Sequence, residues 1–151
     1  MCIRDSDNSN LFRLCLQEVR ESLASAGELP QFENASSQRL PRAFAAAEGY
    51  MLAAQYDFDG PKFSAFVNGA QEASSLVYAE IGLLRPFALL AILEQVEAVA
   101  VEIAAEAKSG VAASTPANES PLKTLQALVA SLRTIVDTDW REIFELSLIH
   151  I

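Results

Sequence analysis

The chain has 151 residues, 51% of them hydrophobic, and a formal net charge of −9 at pH 7. This composition suits one globular domain with an apolar core. It excludes a disordered chain, which would have a low hydrophobic content. The acidic balance disfavours nucleic acids and anionic membrane surfaces as partners, because both require clustered lysine and arginine.

The two ends of the chain are expected to be non-native. Residues 1–6 and 146–151 are translations of the two strands of one DNA element, which resembles the transposon end used to prepare sequencing libraries. Such sequences carry no information about a fold, so residues 7–145 are interpreted as the native protein. That segment retains Cys15 but neither Cys2 nor His150. No internal disulfide is therefore expected.

Apolar residues recur every three or four positions along most of the chain. This spacing predicts an all-α fold of six to seven helices, arranged as a bundle or as stacked helix pairs, with no sheet. Residues 7–39 should form a first helix, capped by Asn8 or Ser9, and a polar loop. Cys15 is interpreted as a small core residue, with a nucleophile as the alternative. The apolar face of this helix comprises Leu11, Phe12, Cys15, Leu16, Val19 and Leu23.

Residues 40–108 are predicted to form the helical core. Pro41 should begin a helix that continues to about Gln55, because proline fits the first turn. After an Asp-Phe-Asp-Gly-Pro turn, Asp59 is the expected N-cap of a third helix. The predicted buried residues of these two helices are Phe44, Ala47, Met51 and Leu52, then Phe63, Phe66, Val67 and Ala70.

A fourth helix is predicted from Leu76 to about Leu84, and Pro86 should break the pattern after it. A kink within one long helix is the alternative. A helix from Phe87 to about Lys108 follows. Its predicted buried residues are Leu89, Ile92, Leu93, Val96, Ala100 and Ile103, and its solvated side comprises Glu94, Glu97, Glu102 and Glu106. The most apolar stretch of the chain, residues 76–107, is interrupted by charges, which argues against a membrane span of about 20 nearly uncharged residues. These charges are Glu80, Arg85, Glu94 and Glu97.

Residues 109–119 lack apolar periodicity and are predicted to be a flexible loop. Residues 120–145 should form a helix pair, with Ser120 and Pro121 starting the first helix. Asp139 and Glu142 have the spacing of a capping box at the start of the second. The predicted apolar stripe comprises Leu122, Leu125, Leu128, Val129, Leu132 and Val136, followed by Trp140, Ile143 and Phe144.

The native segment offers little catalytic chemistry. Without a histidine, it lacks the components of a Ser-His, Cys-His or Cys/His zinc site. Asp57 and Asp59 are interpreted as turn-forming and capping residues, with a metal or acid–base role as the alternative. Trp140 is interpreted as a core residue; the alternatives are an anchor for a following domain and a platform for a sugar. No cofactor is expected.

Four segments together resemble the N-terminal helical region of cyclic β-1,2-glucan synthases and their multidomain relatives. They are 40–50 (LPRAFAAAEGY), 58–71 with its FSAFVNGAQ run, 76–93 with LLRPFALLAIL, and 131–145 with SLR followed by DWREIFE. The similarity covers residues 40–145. It marks Arg42, Glu80, Trp140 and Phe144 as possible domain-docking or core anchors.

The resemblance implies a role outside the catalytic step. Such proteins join a helical region to a membrane-embedded glucosyltransferase that uses UDP-glucose, followed by a phosphorylase-like module. No catalytic residue of either module falls in this chain. The expected function is therefore a noncatalytic scaffold that docks, through its last helix, on downstream catalytic modules of the same polypeptide. The resemblance places it on the cytoplasmic side of a bacterial inner-membrane protein.

Two other hypotheses remain open. The acidic helices are also typical of a protein-interaction or regulatory module unrelated to glycan synthesis. An independent glycan-binding or hydrolytic domain is the third hypothesis, and binding of β-glucans by the chain alone would favour it.

Overall fold

The computed structural model describes residues 2–109 and 121–148, with side chains from residue 7 onward. Seven helices and one short hairpin make up this part of the chain. The elements are α1 (Cys2–Ala26), β1 (Gln31–Glu33), β2 (Arg39–Pro41), α2 (Arg42–Ala53), α3 (Gly60–Ala73), α4 (Tyr78–Gly82), α5 (Leu84–Ser109), α6 (Pro121–Asp137) and α7 (Trp140–Leu148). The predominantly helical class is confirmed.

The prediction that the chain has no sheet is wrong. β1 and β2 pair antiparallel, with Phe32 opposite Leu40. Asn34 closes the turn, because its Oδ1 accepts hydrogen bonds from the backbone N–H groups of Ser36 and Gln38, both at 2.9 Å. Each strand has only three residues, mostly exposed, so neither is long enough to show the alternating pattern of a half-buried strand.

The long helix α5 is the centre of the packing. It contacts α1, α2 and α6, while α3 packs against α2 and α7. The N-terminal half of α5 is almost completely enclosed, with Leu84, Ala88, Leu89 and Ile92 fully buried. Its C-terminal half retains Val99 as a buried residue, and Ala100, predicted to be buried, is exposed. The four glutamates predicted to be solvated are all exposed.

Several predicted helix starts differ from the observed ones. α1 begins at Cys2, so Asn8 and Ser9 lie within the helix and do not cap it. Pro41 ends β2 and is the N-cap of α2, so it precedes the first helical turn. The break before α5 falls at Leu83, and Pro86 lies in the first turn of α5, where a missing N–H is tolerated.

Two of the remaining predicted helix starts have the expected aspartate caps, and another lies outside the described residues. Asp59 is the N-cap of α3, and its Oδ1 accepts a hydrogen bond from the backbone N–H of Lys62 at 2.9 Å. Asp139 accepts one from the N–H of Arg141 at 3.1 Å at the start of α7. The predicted loop 109–119 and the predicted cap Ser120 lie outside the described residues, apart from Ser109, which ends α5.

The apolar faces were predicted with the right period but with some wrong members. Leu52 is 57% exposed, whereas Tyr50, two residues earlier on α2, is buried in the core. Leu122 is likewise 57% exposed, whereas Ile135 is fully buried. Leu16 on α1 is also exposed. Periodicity identifies a stripe on a helix, but the neighbouring helices decide how much of that stripe is covered.

None of the described helices has a stretch both long enough and apolar enough to cross a bilayer. Cys15 is a free, buried cysteine.

Candidate functional site

The four anchors marked by the sequence fall into two pairs in the structure. Arg42 and Glu80 form an ion pair between the start of α2 and α4, across 38 positions of sequence. Trp140 and Phe144 are neighbours on α7, with ring centroids 6.1 Å apart. The two pairs belong to one packed unit, because α4 contacts α2 and α7.

The Arg42–Glu80 pair has bidentate geometry. Nε of Arg42 donates to Oε1 of Glu80 at 3.0 Å, and Nη2 donates to Oε2 at 2.8 Å. Two parallel hydrogen bonds of this kind are stronger and more directional than a single contact. The Glu80 side chain is fully buried, whereas that of Arg42 is 30% exposed. The hydrogen bond to Glu80 raises the pKa of Arg42, which stays charged.

Both partners of this pair also hold the segment before α4. Nη1 of Arg42 donates to Oγ of Ser74 at 2.9 Å, and Nη2 is 3.4 Å from the carbonyl oxygen of Ser75. The backbone N–H of Val77 donates to Oε2 of Glu80 at 2.7 Å. This is one half of a capping box, since a valine side chain cannot accept the reciprocal bond. The carboxylate thus accepts three hydrogen bonds from two segments. Its negative charge therefore serves to hold these segments together.

An aromatic cluster joins α2, α3 and α7. Its neighbouring ring centroids lie 5.0–6.1 Å apart, and it comprises Tyr50, Phe58, Phe63, Phe66, Trp140 and Phe144. Trp140 is 5% exposed and stacks on Phe58 at 5.8 Å. Its indole Nε1 donates to the carbonyl oxygen of Ile135 at 2.7 Å. Because protein atoms cover the indole, it offers no open face on which a sugar ring could stack.

The connection between α2 and α3 is held by residues whose roles were not predicted. Gln55 and Tyr56 have φ values of 53° and 60°, a left-handed conformation that costs about 1–2 kcal/mol per residue with a side chain. Ser131 of α6 stabilises this turn, since its Oγ donates to the carbonyl oxygen of Tyr56 at 2.6 Å and accepts from the N–H of Phe58 at 3.1 Å. The sequence signal was a serine within the buried spacing of α6, beside Leu132.

Tyr50 holds the other side of the same connection. Its hydroxyl group lies 3.1 Å from the carbonyl oxygen of Asp59, to which it donates, and 3.2 Å from the backbone N–H of Asp59, from which it accepts. Burial raises the pKa of Tyr50, so the hydroxyl group keeps the proton that it donates. Asp59 is thereby fixed both as the N-cap of α3 and as a partner of Tyr50. Asp57, its neighbour in the predicted turn, is exposed.

The reactive residue types show no shared site. Among residues 2–109 and 121–148, no group of three or more histidine, cysteine or carboxylate side chains could hold a metal ion. Cys15 is 2% exposed, and burial raises the pKa of its thiol to about 11. A thiol is nucleophilic as its thiolate, so this cysteine has the properties of a core residue.

Concave regions lie along the described surface of α6, among them one between α1 and α6 and one between α3 and α7. The larger, of about 860 Å³, lies between α1 and α6, and Arg133 closes one side by donating to Oδ1 of Asn8. The smaller, of about 550 Å³, lies between the first turns of α3 and α7, beside Thr134 and Thr138. The first is lined mainly by apolar side chains, and the second by a mixture of apolar, hydroxyl and carboxylate groups.

Comparison with known proteins identifies no relative of this chain. No family model, curated protein or solved structure matches the chain. The arrangement of its own residues is therefore the basis for any statement of function.

Proposed function

We propose that this chain is a noncatalytic helical scaffold of a cyclic β-1,2-glucan synthase-like protein. In this proposal it docks against the glucosyltransferase and phosphorylase-like modules of the same polypeptide, on the cytoplasmic side of a bacterial inner membrane. The catalysis, which consumes UDP-glucose, belongs to those modules. The supporting observation is that the four segments carrying the resemblance interlock in a single structural unit.

Direct contacts join these segments in pairs. Arg42 of the first segment binds Glu80 of the third, and the rings of Phe44 and Phe87 add an edge-to-face contact at 5.5 Å. The hydroxyl group of Tyr50 joins the first segment to Asp59 of the second. These contacts hold residues that are far apart in sequence in fixed relative positions. A rigid module needs such contacts in order to present a constant surface.

The second and fourth segments are joined by both polar and aromatic contacts. Oγ of Ser131 accepts from the N–H of Phe58, across 73 positions of sequence, and Trp140 packs on Phe58 and Phe63. The polar groups of the motifs thus hold backbone and side chains together. A motif of this kind supports a scaffold, because a catalytic site would direct its acids and donors towards a substrate.

The reading frame beyond residue 145 tests this proposal. We expect the native gene to continue into a glucosyltransferase module and a phosphorylase-like module. A frame that closes, or that continues into unrelated sequence, would overturn the proposal and favour the protein-interaction module instead.

Biochemical assay of the full polypeptide provides the second test. Membranes containing it should incorporate labelled glucose from UDP-glucose into β-1,2-glucan, and deletion of residues 40–145 should reduce the yield. The chain alone should release no UDP and bind no β-glucan in calorimetry. Turnover or binding by the chain alone would contradict a noncatalytic scaffold and favour the glycan-binding or hydrolytic hypothesis.

A further inference from the structure

The cleft between α3 and α7 has the size and lining of a ligand pocket. Its volume of about 550 Å³ lies within the range of sites for small groups. The apolar wall includes Phe58, Pro61 and Ile143, together with Leu146 from the terminal hexamer that is interpreted as non-native. The polar lining comprises Asp59, Ser64, Thr134, Thr138, Asp139 and Glu142.

Ser64 provides the first indication that this cleft binds something. The residue is 6% exposed, and within the described part of the chain its buried Oγ has no hydrogen-bond partner. Burying a hydroxyl group without a partner is unfavourable, so such groups normally meet a donor or acceptor. Ser64 lines the cleft, where an incoming donor would complete its hydrogen bonding.

The charge of the cleft provides the second indication. Asp59, Asp139 and Glu142 contribute three carboxylates, and no lysine or arginine stands among the described lining residues. Helix capping uses one oxygen each of Asp59 and Asp139. A carboxylate can accept further bonds, so capping leaves capacity for a ligand. A cleft lined by one sign of charge attracts the opposite sign.

We propose that this cleft receives the arginine side chain of a partner polypeptide. The guanidinium group would donate to the carboxylates and to Oγ of Ser64, since its planar fork matches carboxylate geometry. The aliphatic part of the side chain would lie on the wall formed by Phe58, Pro61 and Ile143. The inference rests on the docking function proposed above and gives the chemistry of one contact of the partner surface.

Titration of the isotope-labelled chain with blocked arginine tests this inference. The probe is N-acetyl-arginine-methylamide, followed by the backbone amide signals of Ser64 and Asp139. The neutral control is the citrulline analogue, which has nearly the same shape without the charge. We expect saturable shifts with the arginine probe alone. Glu142→Gln should weaken binding by up to about fivefold, the effect of losing one exposed charge pair.

Two further variants separate binding from folding. Ser64→Ala should also weaken binding, whereas Glu72→Gln, an exposed position on α3 outside the cleft, should leave it unchanged. The amide spectra report at the same time whether each variant is folded. Equal responses to arginine and citrulline, or an unchanged affinity in both Glu142→Gln and Ser64→Ala, would overturn the inference. The scaffold proposal would survive that result, because the reading frame tests it independently.

Discussion

The aromatic cluster and the interface between α1 and α5 stabilise the fold in different ways. Rings from α2, α3 and α7 contribute to the cluster, and polar side chains fix the backbone around it. α1 instead lies against α5, burying Cys15 and Val19 but leaving Leu14 54% and Leu16 49% exposed. A regular apolar stripe is thus insufficient for full burial, which requires neighbours on several sides.

The ion pairs of the two regions show the same contrast. Arginine binds both carboxylate oxygens in the Arg42–Glu80 pair and in the Arg85–Glu18 pair, but only the carboxylate of Glu80 is completely buried. The pair between Arg85 of α5 and Glu18 of α1 has a similar separation of 2.8 Å, but its side chains are 29% and 34% exposed. Water competes for exposed charges, so equal distances need not mean equal contributions to stability.

Trp140→Ala is expected to have the largest effect of the substitutions that test this contrast. It should lower the free energy of unfolding by about 3–5 kcal/mol, because it removes a buried ring and leaves the carbonyl oxygen of Ile135 without its indole donor. Urea unfolding followed by circular dichroism measures this loss. Leu16→Ala on α1 is the matched apolar control, with an expected loss below about 1 kcal/mol. Similar losses in both variants would remove the distinction between the regions.

Arg42→Ala should lower the free energy of unfolding by about 3 kcal/mol, since it leaves the buried carboxylate of Glu80 without its counter-charge. Arg85→Ala breaks the more exposed pair and should cost less than about 1 kcal/mol. Urea unfolding of both variants at neutral pH makes the comparison. If the two losses are equal, burial of Glu80 does not determine the strength of its pair.

Ser131→Ala should cost about 1–3 kcal/mol, because the backbone N–H of Phe58 and the carbonyl oxygen of Tyr56 both lose their partner. Thr134→Ala, on the same helix, removes an exposed hydroxyl group that binds the carbonyl oxygen of Ala130, and it should cost less than about 0.5 kcal/mol. Thermal unfolding of the two variants gives the difference. A harmless Ser131→Ala would show that the left-handed turn is stable without α6.

Glu94→Gln should produce the smallest change, a modest stabilisation at neutral pH. Partial desolvation of the carboxyl group, followed by the charge of Glu48, raises the pKa of Glu94 in the folded chain, although the side chain is exposed overall. Stability should therefore fall as pH rises from the ordinary carboxyl pKa through the raised one, because the folded chain holds the proton more tightly than the unfolded chain. The gain from Glu94→Gln should disappear in acid, where both states are protonated.

Thermal unfolding at about pH 7 and about pH 4 measures this pH dependence. Glu106→Gln, exposed near the end of α5, serves as its control. A gain from Glu94→Gln that persists unchanged at the lower pH would contradict the proposed electrostatic cause.

The predicted anchors illustrate how far sequence reasoning extends into the candidate site. Trp140 was identified because a lone tryptophan on an apolar stripe is conspicuous, and the structure places it in the core. Arg42 and Glu80 were marked through the resemblance, but their pairing was not predicted. Ser131 and Tyr50 were missed, since a hydroxyl group in an apolar stripe does not reveal which backbone group it will meet.

The sequence by itself determined the helical class, the solvated glutamate side of α5 and the capping of α3 by Asp59. These features depend on residues within one or two turns of each other, so local spacing is enough to specify them. Only the tertiary structure decided that Tyr50 is buried and Leu52 exposed, that Arg42 binds Glu80, and that a short hairpin precedes α2. Those outcomes depend on contacts between distant segments, whose geometry the period of a single helix does not encode.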